Sequence, residues 1–521
     1  MATTIRTDTP VLETTSGRIR GFAADGIHTF LGIPYGAPTG GAARFRPPRP
    51  AEPWTGVRPA IVYGAACPQA PREAGAPSER HFVEEAFLLG FNHSRYDEDC
   101  LRLNVWTPSP DVAKRPVMVW LHGGHFASGS GHDIAAFDGT SLARRGDVVV
   151  VTLNHRLNVL GHLELGWARA DLAGSGNAGM LDLVLALAWV RDNIGAFGGD
   201  PDNVTIFGQS GGGAKVTTLM AMPAARGLFH RAIVQSNCAL RQTGMADAER
   251  IARALFAELG IADEDPDRLA EVPYAALSRA ELAVMARLAP QQNPARRNRR
   301  IRWEPVVDGR ILPHHAFDPV APQISAHVPL LVGTTLNEFT TGIGQPDIDG
   351  TSLTAVRQSL AAAYGSDADA ILAHFRARHP AASPFDLLSR IYSATIREWA
   401  VIQASRHAAL GGAPSWLYWF TWATPVLDGR PRAYHNAELP FVFHNADRCA
   451  SATGGGADAL ALADRVADAW IAFARHGDPN HAGLPAWAPF ADDRVTTMVF
   501  DTTCEALDNP DGPERAAAGP A

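Results

Sequence analysis

Cysteine is scarce, with five in 521 residues: Cys67, Cys100, Cys238, Cys449 and Cys504. An odd, dispersed set without a CxxC pair argues against a disulfide-stapled fold and against a zinc site of ordinary spacing. Long apolar runs are lacking too. None reaches the roughly 18 residues of a membrane span. The opening residues, Met1 to Pro10, hold no apolar stretch of the secretory kind, so the chain is expected in the cytoplasm. Charge of one sign is not concentrated: 46 Lys and Arg face 54 Asp and Glu, a net charge of −8. That balance gives no footprint for nucleic acid. Linker-like segments are missing from the interior, and only 509–521, rich in Pro, Gly and Ala, reads as a disordered tail.

What remains is a chain with 46% hydrophobic and 19% charged residues, enough for a large core. Strand-like runs alternate with helical patterns, the order expected of an α/β fold whose mostly parallel twisted sheet is covered by helices on both faces. Gly17 to Ala23 and His28 to Ile33 read as an N-terminal strand pair. Val117 to Leu121 and Val148 to Leu153 are nearly all apolar, as doubly covered strands should be. Val204 to Phe207, Ala232 to Gln235, Val328 to Val332, Trp416 to Phe420 and Thr496 to Phe500 continue the series. Leu181 to Ile194 and Ala457 to Arg475 carry helical periodicity. Helix-rich insertions at about 246–300 and 351–410 are expected to cap a site, within one domain spanning 1–508.

The sharpest local signal is Gly208-Gln209-Ser210-Gly211-Gly212, between a β-branched run and a helical one. A serine on a tight strand-to-helix turn is pushed out toward solvent, above backbone amides and the positive end of a helix. Such a nucleophile needs oxyanion donors, a base, and an acid to orient the base. Donors are expected from His122-Gly123-Gly124-His125-Phe126, directly after the strand Val117 to Leu121, together with the amide of Gly211. In the chain order Ser, acid, His, Glu338 follows the strand Val328 to Val332, and His435 follows Trp416 to Phe420. Spacing alone leaves His407 and His444 open as bases. His122, His125 and His132 share a Gly-rich stretch, yet no carboxylate pair accompanies them. No metal and no cofactor is assigned.

Several segments together resemble the type-B carboxylesterase/lipase family, which includes para-nitrobenzyl esterases and cholinesterases. They are Glu98-Asp99-Cys100-Leu101-Arg102-Leu103-Asn104-Val105-Trp106, Asn154 to Gly161, Phe197 through Gly212, Trp303 to Gly309, and His435 to Phe443. The resemblance covers nearly the whole chain and implies an α/β-hydrolase fold. It implies a triad of Ser210, Glu338 and His435, with oxyanion amides at Gly124, His125 and Gly211. It also implies ion pairs of Arg44 with Glu98 and Arg156 with Asp182, proximity of Cys67 to Cys100, and a hydrogen bond from Ser236 supporting the acid. Phe126, Gln209 and Ser236 are candidates for lining the substrate pocket or for supporting the site.

The departures bear on substrate. Gln209 stands where the family usually has Glu, removing a negative charge beside the acyl site. Between Cys67 and Cys100 lie Phe82, Phe87, Phe91 and Tyr96 but no Trp, so the best cation–π platform for choline is missing. His125 occupies a position where relatives carry Gly or Ala, putting bulk near the alcohol side. Five arginines within 296–302 read as a solvated loop. The expected activity is hydrolysis of a small-molecule ester through an acyl-enzyme, by a monomer or homodimer. An amidase or carbamate hydrolase with the same triad is the alternative. A non-catalytic binding relative would have lost one of the three residues.

Overall fold

A computed structural model describes residues 5–70, 88–92, 94–237, 240–288, 302–338 and 348–519. Its centre is one 12-stranded sheet. In chain order the strands are β1 (Ile5–Arg6), β2 (Phe22–Ala24), β3 (Ile27–Pro34), β4 (Arg102–Thr107), β5 (Arg115–Leu121) and β6 (Val149–Leu153). They continue as β7 (Gly199–Gln209), β8 (Arg231–Gln235), β9 (Leu330–Thr335), β10 (Ser415–Phe420), β11 (Thr496–Phe500) and β12 (Glu505–Asp508). The spatial order is β1-β2-β3-β4-β6-β5-β7-β8-β9-β10-β11-β12. From β6 to β11 every neighbouring pair is parallel, while the strands at either edge pair antiparallel.

Burial explains the parallel block. Every residue of β5 and β6 is buried. The two-residue period of a strand sends Val117, Val119 and Leu121 into one apolar layer, and Met118 and Trp120 into the other. Helices cover both faces, among them α1 (Ala178–Asn193), α2 (Gly211–Ala221) and α8 (Ala457–His476). By composition Ala170–Phe197 could cross a membrane, but 72% of its apolar window is buried inside the protein. Between β8 and β9 lie α3 (Met245–Leu259) and α4 (Tyr274–Leu288). Between β9 and β10 lie α5 (Leu353–Tyr364), α6 (Ala368–Arg378) and α7 (Pro384–Ala408).

The chain passes from β5 out to β6 on one side, then back across to β7 on the other. The loops leaving β5 and β7 therefore diverge at a switch point, where such sheets open a crevice at their carboxyl ends. Register makes the two ends level, since Gly208 pairs with Leu121.

Two expectations are corrected. Gly17 to Ala23 is not one strand. Gly17–Arg20 joins a separate three-stranded sheet, and only Phe22–Ala24 pairs with β3. The break falls at Gly21, where a Cβ would lie 2.1 Å from Thr29 O, a crossing only glycine permits. The tail expected to be disordered instead forms helix α9 (Gly512–Ala518). Its charges provide the reason: Asp511 Oδ2 accepts from buried Arg397 at 3.3 Å, and Glu514 Oε1 accepts from Arg378 at 2.6 Å. Both implied ion pairs are present, with Arg156 to Asp182 at 2.6 and 2.8 Å and Arg44 Nε to Glu98 at 2.7 Å. The Cys67 and Cys100 thiols are free and buried. Their mutual hydrogen bond, with burial, pushes Cys100 well above the ordinary thiol range. Cys238 lies outside the described residues.

Candidate active site

Strand β7 ends at Gln209 and α2 begins at Gly211. Ser210, between them, has φ +59° and ψ −123°, backbone angles that side chains rarely adopt. The turn is fixed from below, because Ser210 N–H donates to Gln235 O at 2.8 Å. From above it is crowded. A Cβ on Gly212 would stand 1.9 Å from Leu121 O, and one on Gly211 would stand 2.4 Å from His125 N. Only glycine lets the serine turn close onto the loop leaving β5, and Gly211 and His125 thus meet backbone to backbone.

That loop has its carbonyls held in a definite pattern. Gly124 and His125 have φ of +83° and +54°. His122 O and His125 O accept from the Lys215 ammonium at 2.8 and 2.9 Å. Gly123 O meets His122 Nδ1 at 2.9 Å, Gly124 O accepts from Ser128 N–H at 3.1 Å, and Phe126 O accepts from Asn158 N–H at 2.6 Å. A loop with carbonyls pinned in this way can present amides to a developing oxyanion. The His125 imidazole turns to Arg302, with Nδ1 at 3.2 Å from Nη1. The guanidinium donates, so Nδ1 accepts and the ring proton belongs on Nε2. Arg302 is therefore engaged with the His125 ring; Arg296, Arg297, Arg299 and Arg300 lie outside the described residues, as do Phe82 and Phe87.

Glu338 and His435 are brought together by their loops. Asn337 N–H donates to Ala433 O at 3.0 Å, and Asn337 Nδ2 donates to Ser389 Oγ on α7 at 3.1 Å. Glu338 is wholly buried. Its Oε1 accepts from Thr335 N–H at 2.9 Å, its own N–H donates to Ser393 Oγ at 2.9 Å, and its Oε2 pairs with His435 Nδ1. The other two histidines are excluded as partners of this acid. His407 is buried on α7, and His444 pairs with Asp464 at 2.8 Å. Just beyond His435, the carboxyl of Glu438 accepts from Gln235 Nε2 at 2.7 Å and from Tyr418 at 3.1 Å. Burial, reinforced by the charge of Glu338, pushes it up to about 8.

Three further sequence-assigned residues are buried here. Gln209 is 2% exposed and donates from Nε2 to His435 O at 2.8 Å, so it ties the Ser210 turn to the His435 loop, the supporting one of its two expected roles. Phe126 packs in the core behind the loop, edge-on to His162 at 5.1 Å. Ser236 Oγ is buried without a hydrogen-bond partner among the described residues. Both Glu338 oxygens are already engaged, and Ser236 contributes its N–H instead, to Gly333 O at 2.8 Å. Sequence reasoning missed Lys215, Asn337, Ser389 and Ser393. Among the described residues no group of His, Cys, Asp and Glu could hold a metal ion.

Residues 8–512 match the carboxylesterase family. The chain is 35% identical to the para-nitrobenzyl esterase of Bacillus subtilis, with 97% of each chain covered. It is 34% identical to phenmedipham hydrolase of Pseudarthrobacter oxydans, covering 95% of this chain and 96% of that one. Among solved structures, a carboxylesterase of Geobacillus stearothermophilus superposes with a TM-score of 0.81 at 36% identity, covering 98% of this chain and all of that one. An esterase of Clostridium hathewayi described as hydrolysing aliphatic aromatic polyesters gives a TM-score of 0.81 at 36% identity, with 99% of each chain covered. A strand-to-helix serine at the switch point of an α/β-hydrolase sheet, together with these matches, makes the chain a member of the carboxylesterase family and a carboxylic ester hydrolase.

Proposed function

We propose that the chain is a serine esterase that cleaves small-molecule carboxylic esters through an acyl-enzyme. The observation that carries this reading is the pairing of His435 with the buried carboxylate of Glu338, on a loop that Gln209 ties to the Ser210 turn. Glu338 engages Nδ1, which leaves Nε2 of His435 as the base. Ser210 Oγ attacks the ester carbonyl as Nε2 takes its proton. The tetrahedral oxyanion is held by the amides of Gly124, His125 and Gly211. Collapse breaks the ester C–O bond, and the alcohol leaves with the proton from His435. Water, deprotonated by the same nitrogen, then attacks the acyl-enzyme; the acid departs and Ser210 recovers its proton. Glu338 orients the imidazole and stabilises the imidazolium.

The test is Ser210→Ala, assayed on para-nitrophenyl acetate, with the wild type labelled by an organophosphate and mapped by peptide mass. Activity should fall by at least about 10³-fold, and the label should sit on Ser210. Activity within tenfold of wild type, or a label elsewhere, would overturn the assignment.

A further inference from the structure

Lys215 has no part in the proton transfers just described, yet it is fully buried beneath them. It stands on α2, the helix that begins with the nucleophile turn. Its Nζ donates to His122 O at 2.8 Å and to His125 O at 2.9 Å, and it lies 5.5 Å from the centroid of the Phe126 ring. Those two carbonyls bracket Gly123 and Gly124, so one ammonium grips both ends of the segment assigned to the oxyanion. Lysine is an expensive choice for this place. Withdrawal from water opposes its charge and lowers its pKa to about 7, with only the more distant Asp133 charge acting in its favour. An apolar side chain would fill the same volume without that cost. What an apolar side chain cannot do is bind the two carbonyls and so tie the loop to α2.

We infer that Lys215 is a positioning residue for ester hydrolysis, locking the Gly123-Gly124-His125 backbone to the nucleophile helix so that the oxyanion amides are preset. Its two bonds fasten the loop to α2, and Gly211 sits on that helix one turn before it. Loop and nucleophile therefore keep their spacing together. The inference rests on the proposed assignment of Ser210 and the loop amides.

The experiment compares Lys215→Met, Lys215→Gln and Lys215→Arg with wild type and with Ser210→Ala, on para-nitrophenyl acetate. Circular dichroism and thermal melts establish which variants are folded. A positioning role lowers kcat of the folded Met or Gln variant by roughly 10- to 100-fold while KM stays within about threefold. Lys215→Arg, which can still donate to both carbonyls, should recover part of the loss. Affinity for a trifluoromethyl ketone, whose adduct carries the oxyanion, should fall in step with kcat/KM. A folded Met or Gln variant with kcat within twofold of wild type would overturn the inference, while an inactive Ser210→Ala beside it would leave the serine mechanism standing. If neither Met nor Gln folds, Lys215 serves the fold instead, and the positioning role is likewise overturned.

Discussion

The side-chain amide of Gln209 donates to the main-chain carbonyl of His435 at 2.8 Å, so the residue preceding Ser210 holds the backbone of the proposed base. A glutamate there would set an acceptor against an acceptor unless it were protonated. Gln209→Glu should therefore lower kcat/KM by roughly 10-fold or more, consistent with the ~1–3 kcal/mol cost of an unsatisfied buried polar group. The deficit should deepen from pH 6 to pH 8, as the new carboxyl loses the proton it needs in order to donate. A pH–rate profile parallel to that of wild type would contradict this role for Gln209.

Gly211→Ala probes the contact between the nucleophile turn and the loop. The added methyl meets His125 backbone at 2.3–2.4 Å, so the loop must retreat. Loss of an oxyanion donor typically costs about 10²–10³ in kcat, and a loss of that size is expected here. Steady-state kinetics at saturating para-nitrophenyl acetate would register it; a loss under threefold would show that the loop yields without consequence.

Glu281, on α4, is buried and accepts from Val159 N–H at 3.3 Å. Burial pushes its carboxyl up to about 8, against an ordinary value of 4.5. Between those values the folded chain binds a proton that the unfolded chain has lost, so this group's contribution to stability falls as pH rises through that window. Glu281→Gln removes the titration. The variant should gain on the order of 1–3 kcal/mol relative to wild type between pH 5 and pH 8, read from urea unfolding. A stability difference constant with pH would refute it.

Arg397 is 2% exposed, and its charge is met by Asp511 together with Tyr418 O at 2.8 Å and Thr497 Oγ1 at 2.9 Å. Asp511→Ala leaves that guanidinium without its counter-charge, a change that typically costs about 3–5 kcal/mol. Truncation after Asn509 should destabilise at least as much. A melting temperature within a degree of wild type in both would mean that the C-terminal helix contributes little.

The parts of the site written in contiguous residues were legible: the strand, Ser210, the helix after it and the Gly-rich loop all announce themselves by local pattern. The choice of His435 over His407 and His444 was not legible from spacing, because it depends on Asn337 meeting Ala433 across nearly a hundred residues. The resemblance supplied what periodicity could not. For Phe126, Gln209 and Ser236 the sequence left pocket-lining and supporting roles open, since it does not tell which way a side chain faces in a folded loop. Lys215 sat unnoticed in a helical run, where a lysine ordinarily reads as solvent-facing. Composition misled at the tail, because Pro, Gly and Ala report local propensity while Asp511 and Glu514 act through distant partners.

Helix α7 carries Ser389 and Ser393, a helical turn apart, and both hold the Asn337–Glu338 loop. One face of an insertion helix is thereby committed to holding the proposed acid. Anyone remodelling this insertion to change which esters are accepted has the remaining faces of the helix to work with. A graft that replaces the whole segment also exchanges the mount of the proposed acid, and slow turnover in such a chimera would say nothing about the grafted residues unless both serines had been retained.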